Sequence, residues 1–100
     1  MATARIGSGS TAPGQGWTAY GQGITLDIDT SSAVFDGAPR YFTSLGASGT
    51  HWEVTGYTAI YNPTATGFKI YARHRDGSPL TTQHASQYGF FINWFGIDNP

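Results

Sequence analysis

Three short clusters in this sequence carry side chains that could do chemistry. His74-Arg75-Asp76 stands where a strand pattern runs into a turn. A planar guanidinium next to a carboxylate can grip pairs of hydroxyls with paired hydrogen bonds. His51-Trp52 adjoins a Gly-Ser loop, where an indole could lie against the apolar face of a small ring. Gln22, between Gly21 and Gly23, presents an amide on a turn. These are the groups a site for a polyhydroxylated ligand would use. Each also has a plainer role: the triplet as a solvated turn with a weak surface ion pair, and Trp52 as a core residue.

Catalytic and metal chemistry has less to draw on. Asp27 and Asp29 share one strand face about 7 Å apart, and such a pair could serve glycoside hydrolysis. No neighbour marks either for a raised pKa, and acids on an outer strand face are ordinary. Two carboxylates are also too few for a calcium site. His51, His74 and His84 lack zinc-ligand spacing. Cysteine is absent, which removes disulfides, thiolate ligands and a cysteine nucleophile. There is no Gly-x-Ser-x-Gly elbow. The glycines of residues 7–16 lack the Gly-Lys-Ser/Thr ending of a phosphate loop. No catalytic residue, metal or cofactor is assigned, and binding is expected rather than catalysis.

The elements that must position these groups read as strands. Of 100 residues, 11% are charged, 15% are aromatic and 14 are glycine. Few charges, many rings and many turn formers suit short strands and tight turns. Ile24, Leu26 and Ile28 alternate with Thr25, Asp27 and Asp29, and Phe68, Ile70 and Ala72 alternate with Lys69, Tyr71 and Arg73. Period two marks half-buried strands. Further strands are expected at 17–20, 40–45, 57–61 and 90–97, with Asn62-Pro63 ending the third of these runs and residues 80–88 as a polar loop or short helical turn. Residues 1–15 read as a flexible N-terminal segment and 16–100 as one domain. The fold class is all-β, an antiparallel sandwich or barrel.

Net charge is −1, so no basic field draws nucleic acid, and no run approaches the ~20 apolar residues of a membrane span. The N-terminus shows no signal-type apolar core, which leaves the compartment open. The last strand carries weight: Phe90, Ile92 and Trp94 lie on one face and Phe91, Phe95 and Ile97 on the other. A strand apolar on both faces is buried on both faces. A second subunit is expected to cover the outer one, the alternative being a loop of the same chain.

Four marks in order are similar to the H-type lectin family, that of the snail agglutinins and the discoidin C-terminal domain. They are Gly16-Trp17, Pro39 leading the strand from Arg40 to Leu45, Thr66-Gly67-Phe68-Lys69, and Ile92-Asn93-Trp94-Phe95-Gly96-Ile97. The likeness spans about Gly16 to Ile97. It implies a six-stranded antiparallel sandwich, assembly as a trimer or hexamer, and binding of galactose or N-acetylgalactosamine-type glycans near subunit interfaces, in an extracellular or cell-surface setting. Where that family places an acid after its first strand, this chain has Tyr20-Gly21-Gln22-Gly23. Near the family's Trp-His pair it has Arg75-Asp76. The sugar contacts expected here are His74, Arg75 and Asp76, with His51, Trp52 and Gln22 as loop partners. The alternative is a structural trimerisation or adhesion module of a larger secreted or fibrous protein, without its own sugar site.

Overall fold

A computed structural model describes residues 4–99. Eight strands and one helix follow in the order β1 (Arg5–Ser10), β2 (Thr18–Tyr20), β3 (Gly23–Asp29), β4 (Arg40–Gly46), β5 (Val54–Thr55), β6 (Tyr61–Thr64), β7 (Gly67–His74), α1 (Thr82–Tyr88) and β8 (Phe91–Asp98). They form two antiparallel sheets. One has the order β1-β8-β4; the other has the order β2-β3-β7-β5, with β6 also pairing β7. The architecture is all-β and sandwich-like.

The alternation read in β3 and β7 sets the layers. Ile24, Leu26 and Ile28 join Phe68, Ile70 and Ala72 on the inner face of the larger sheet. Tyr41, Ile92 and Trp94 meet them from the smaller one in a single buried cluster. Burying each large apolar side chain contributes about 1.5–3 kcal/mol. Aromatic edges organise this core around Tyr41, whose ring centre lies 4.3 Å from Phe68, 6.0 Å from Phe35 and 6.2 Å from Trp94. Its hydroxyl donates to the Thr64 carbonyl at 2.7 Å. That uses its only proton, so the Thr30 hydroxyl, also at 2.7 Å, donates to the Tyr41 oxygen. One phenol thus ties β4 to the end of β3 and to β6. Burial pushes its pKa above the ordinary tyrosine value, against the opposing hydrogen bond from Thr30.

Two segments depart from the expected pattern, and a third, 82–88, takes the helical one of the two forms expected for it. Residues 5–10, expected within a flexible segment, form an edge strand in register with β8, from Arg5 opposite Asp98 to Ser10 opposite Asn93. Its glycines answer to packing: a Cβ at Gly7 would lie 2.5 Å from the Ala33 Cβ, and one at Gly9 would lie 3.0 Å from the Trp94 ring. What looks like linker composition is a strand pressed against an indole. Residues 57–60, expected as strand, are a turn, and the strand instead begins at Tyr61 and runs through Asn62-Pro63. Proline is tolerated there because β6 pairs only on its β7 side and its register shifts between Tyr61 and Thr64. Residues 82–88 are a helix. The Thr81 hydroxyl accepts from the His84 amide at 3.2 Å, and Gly89 ends the helix with φ +63°. Such a polar start and left-handed glycine stop define a short helix, and its buried Ala85 helps close one end of the core.

The outer face of β8 follows the expected alternation. Phe91 lies over Gly46, whose missing side chain makes room for the ring. Phe95 stacks on Phe42 with ring centres 4.9 Å apart and planes 15° apart. Ile6, Phe42 and Phe95 are 68%, 50% and 39% exposed, so among the described residues no loop seals the face. Asn93 interrupts it with a polar row, accepting from Ser10 at 2.6 Å and donating to Ser44 at 3.3 Å.

Tyr41→Phe is expected to destabilise the fold by about 1–3 kcal/mol, because the buried Thr30 hydroxyl and the Thr64 carbonyl lose their partner. The check is urea unfolding at pH 8. A tyrosine whose folded pKa is raised stabilises fully below the unfolded value of about 10, and that contribution is lost as pH rises through the folded value. The gap between wild type and Tyr41→Phe should therefore narrow between pH 8 and pH 11.

Candidate functional site

A groove of about 350 Å³ lies over the middle of β7 on the outer face of the larger sheet. Its position follows from strand pairing. Along one edge of β7, β5 pairs with Arg73 and His74, and β6 pairs with Gly67 and Lys69. Residues 56–60 loop out between these two ladders. Gly56, with φ +92°, passes close enough that a Cβ would lie 3.1 Å from the Tyr71 carbonyl oxygen. On the other edge Gly23 faces the Ala72 carbonyl, again without room for a side chain. Two glycines therefore floor the groove.

Its walls are tyrosines. Tyr71 stands centrally, with the Tyr20 ring 4.8 Å away on one side and the Tyr61 ring 4.9 Å away on the other, the latter edge-on at 84°. Tyr20 is 63% exposed and Tyr61 48%, a large aromatic surface to leave in water. Ala59 adds apolar lining, and Gln22 and Arg73 supply the polar side chains at the rim. Below this, Lys69 pairs with Asp27 at 3.6 Å and lies 6.0 Å from the Tyr71 ring centre. Flat rings with a few polar groups at one edge can stack on the apolar face of a small cyclic ligand while holding its polar substituents.

The residues singled out from sequence are distributed differently. Gln22 lines the groove, and its carbonyl accepts from the Leu80 amide at 2.9 Å. His74 takes an inner-face position on β7 and is buried, packing edge-on against His84 at 5.4 Å, which in turn lies 5.4 Å from Tyr88. It follows the strand's alternation to the inner face, away from the outward Lys69, Tyr71 and Arg73. Arg75 lies over the Trp52 ring at 4.7 Å, and its amide donates to the Glu53 carbonyl at 3.0 Å. Trp52 is 72% exposed, so it is not a core residue. The Asp76 carboxylate accepts from the Ser78 hydroxyl at 2.7 Å and the Ser78 amide at 2.9 Å. Those bonds hold its pKa below the ordinary carboxylate value and occupy it as a turn brace. His51 turns Nδ1 inward without a hydrogen-bond partner.

Tyr20, Tyr61, Tyr71 and Arg73 went unselected at the sequence level. The signal was there in part: Tyr71 and Arg73 fall on the outward positions of a clean alternating strand, where a tyrosine needs a reason to face water. Nothing in the spacing shows that Tyr20 and Tyr61, 41 residues apart, flank it. Among the described residues no three acidic, histidine or cysteine side chains gather as a metal site, and no helix is long and apolar enough to cross a membrane. No family model, curated protein or solved structure matches this chain.

Two substitutions separate the groove floor from the Trp52 edge. Gly23→Ala forces a Cβ against backbone and is expected to cost about 1–3 kcal/mol. Trp52→Ala removes an exposed cation–π contact and is expected to cost at most about 1 kcal/mol. Urea midpoints measured side by side would check the order.

Proposed function

We propose that this protein is a carbohydrate-binding lectin, made multivalent by self-association, with the tyrosine groove on the outer face of the larger sheet as its glycan site. The observation that carries this reading is the groove itself: three tyrosine rings around a glycine floor, with Gln22 and Arg73 at the edge. Galactose-type sugars present one apolar face to a ring and hydroxyls to side-chain amides and guanidinium groups. A volume near 350 Å³ falls at the small end of ligand pockets, about 300–1,000 Å³, and suits one or two sugar rings. The H-type lectin likeness of the sequence points the same way. The site differs from the contacts the likeness suggested, with only Gln22 common to both.

A second copy of the chain is the proposed cover for Ile6, Phe42 and Phe95. Surfaces of this kind mark association sites, and a trimer or hexamer would give several weak sites the gain of high effective concentration. The second reading, a structural oligomerisation or adhesion module, is favoured by this apolar face alone and needs no sugar.

Tyr20→Ala and Tyr61→Ala, each at an exposed position, should lower affinity for galactose-type glycans about tenfold, the equivalent of 1.4 kcal/mol. Melting temperature should stay nearly unchanged. Glycan-array binding and calorimetry give the readout; unaltered sugar affinity in both variants contradicts the groove. Phe42→Asp combined with Phe95→Asp should reduce the mass by light scattering to that of one chain and weaken binding to a glycan-coated surface, while leaving monosaccharide affinity intact. A folded oligomer that binds no glycan would support the structural reading instead.

A further inference from the structure

The charged side chains of the protein are unevenly committed. Asp27 pairs with Lys69 at 3.6 Å. The Asp29 carboxylate accepts from the Ser31 amide. Asp76 braces Ser78, and Asp98 accepts from the amides of Asp36 and Gly37. Arg75 lies over Trp52. Arg73 alone among the groove-lining residues carries a charge, no acid lines the groove with it, and it takes part in no ion pair among the described residues. Its place is fixed by the ladder: Thr55 lies opposite it on β5, and the Cβ position of Gly23 is 3.3 Å from its own Cβ on the other side. The groove therefore presents aromatic walls and one uncompensated guanidinium.

We infer that the preferred ligand of this groove is an acidic sugar, a hexuronate of the galacturonate type, whose carboxylate is held by Arg73 while its ring lies against the tyrosines. The inference rests on reading the groove as a glycan site and adds the charge of the ligand. A neutral galactose offers Arg73 only hydroxyls. A carboxylate on the ring offers two acceptor oxygens in the geometry of the guanidinium fork, and such charge-assisted bonds are about twice as strong as neutral ones. An anion is also drawn by the unpaired cation, with a pull that salt weakens.

Calorimetric titration of the full chain with galacturonate and with galactose, at low and at high sodium chloride, tests this. Galacturonate is expected to bind about tenfold more tightly than galactose at low salt, a difference typical of one charge-assisted contact. The preference should shrink at high salt. Arg73→Gln, at an exposed position, should abolish the preference, weakening galacturonate about tenfold and galactose, which meets Arg73 only through hydroxyls, by a smaller factor, with circular dichroism confirming the fold. Galactose binding as tightly as galacturonate overturns the acidic preference and leaves the lectin reading standing. A preference that survives in Arg73→Gln overturns the role of Arg73, and an aspartate-containing peptide that competes as well as galacturonate overturns the sugar as ligand. Failure of both sugars to bind overturns the glycan reading itself.

Discussion

Strand β7 builds the core with one set of side chains and the candidate site with the other, and the period of two forbids any mixing of the sets. Phe68, Ile70, Ala72 and His74 turn inward and are buried. Lys69, Tyr71 and Arg73 turn outward, where Lys69 meets Asp27 and Tyr71 meets Tyr20 and Tyr61. A slip of one residue would put charges in the core and Phe68 and Ile70 in water. The large apolar cost of that slip fixes the register, so the geometry of the outer face is set by the burial of the inner one. β7 also has neighbours along both edges, which makes it a rigid base for a binding surface.

The two sheets are held in place by a polar link inside an apolar layer. The Tyr41 hydroxyl joins three backbone segments through Thr30 and Thr64 while its ring packs among Phe35, Phe68 and Trp94. Apolar packing alone is tolerant of sliding, whereas a buried phenol with both its donor and an acceptor site satisfied accepts one arrangement. At the far end, Trp17 donates to the Phe90 carbonyl at 3.1 Å, securing the entry to β2 against the chain that leads into β8. These contacts position β2 and β6, which bring Tyr20 and Tyr61 to either side of Tyr71.

Much of the fold is legible in the sequence because it rests on local alternation. β3, β4, β7 and β8 each announce an inner and an outer face, and the inner residues of β3, β7 and β8, with Tyr41 of β4, are buried. The misread parts depend on partners distant in the chain. Gly7 and Gly9 look like linker residues until the Trp94 ring and Ala33 are placed beside them. Asn62-Pro63 looks like a break until β6 is known to lie at an edge. For the candidate site, Gln22 lies on the groove rim, while His74 turns to the inner face because adjacent residues of an extended strand point to opposite faces, and Arg75 and Asp76 lie past the strand's end. The tyrosine cluster draws on β2, β6 and β7, and its assembly is a property of strand order that no single segment encodes.

The most direct test of the account is where a sugar touches the protein. Backbone amide NMR shifts of the full chain should be followed while galacturonate is added. The account predicts that the perturbed amides are those of Tyr20 to Ile24, Gly56 to Tyr61 and Tyr71 to Arg73, with the outer face of β8 unaffected. Shifts centred on Trp52, Arg75 and Asp76, or on Phe42 and Phe95, would contradict it.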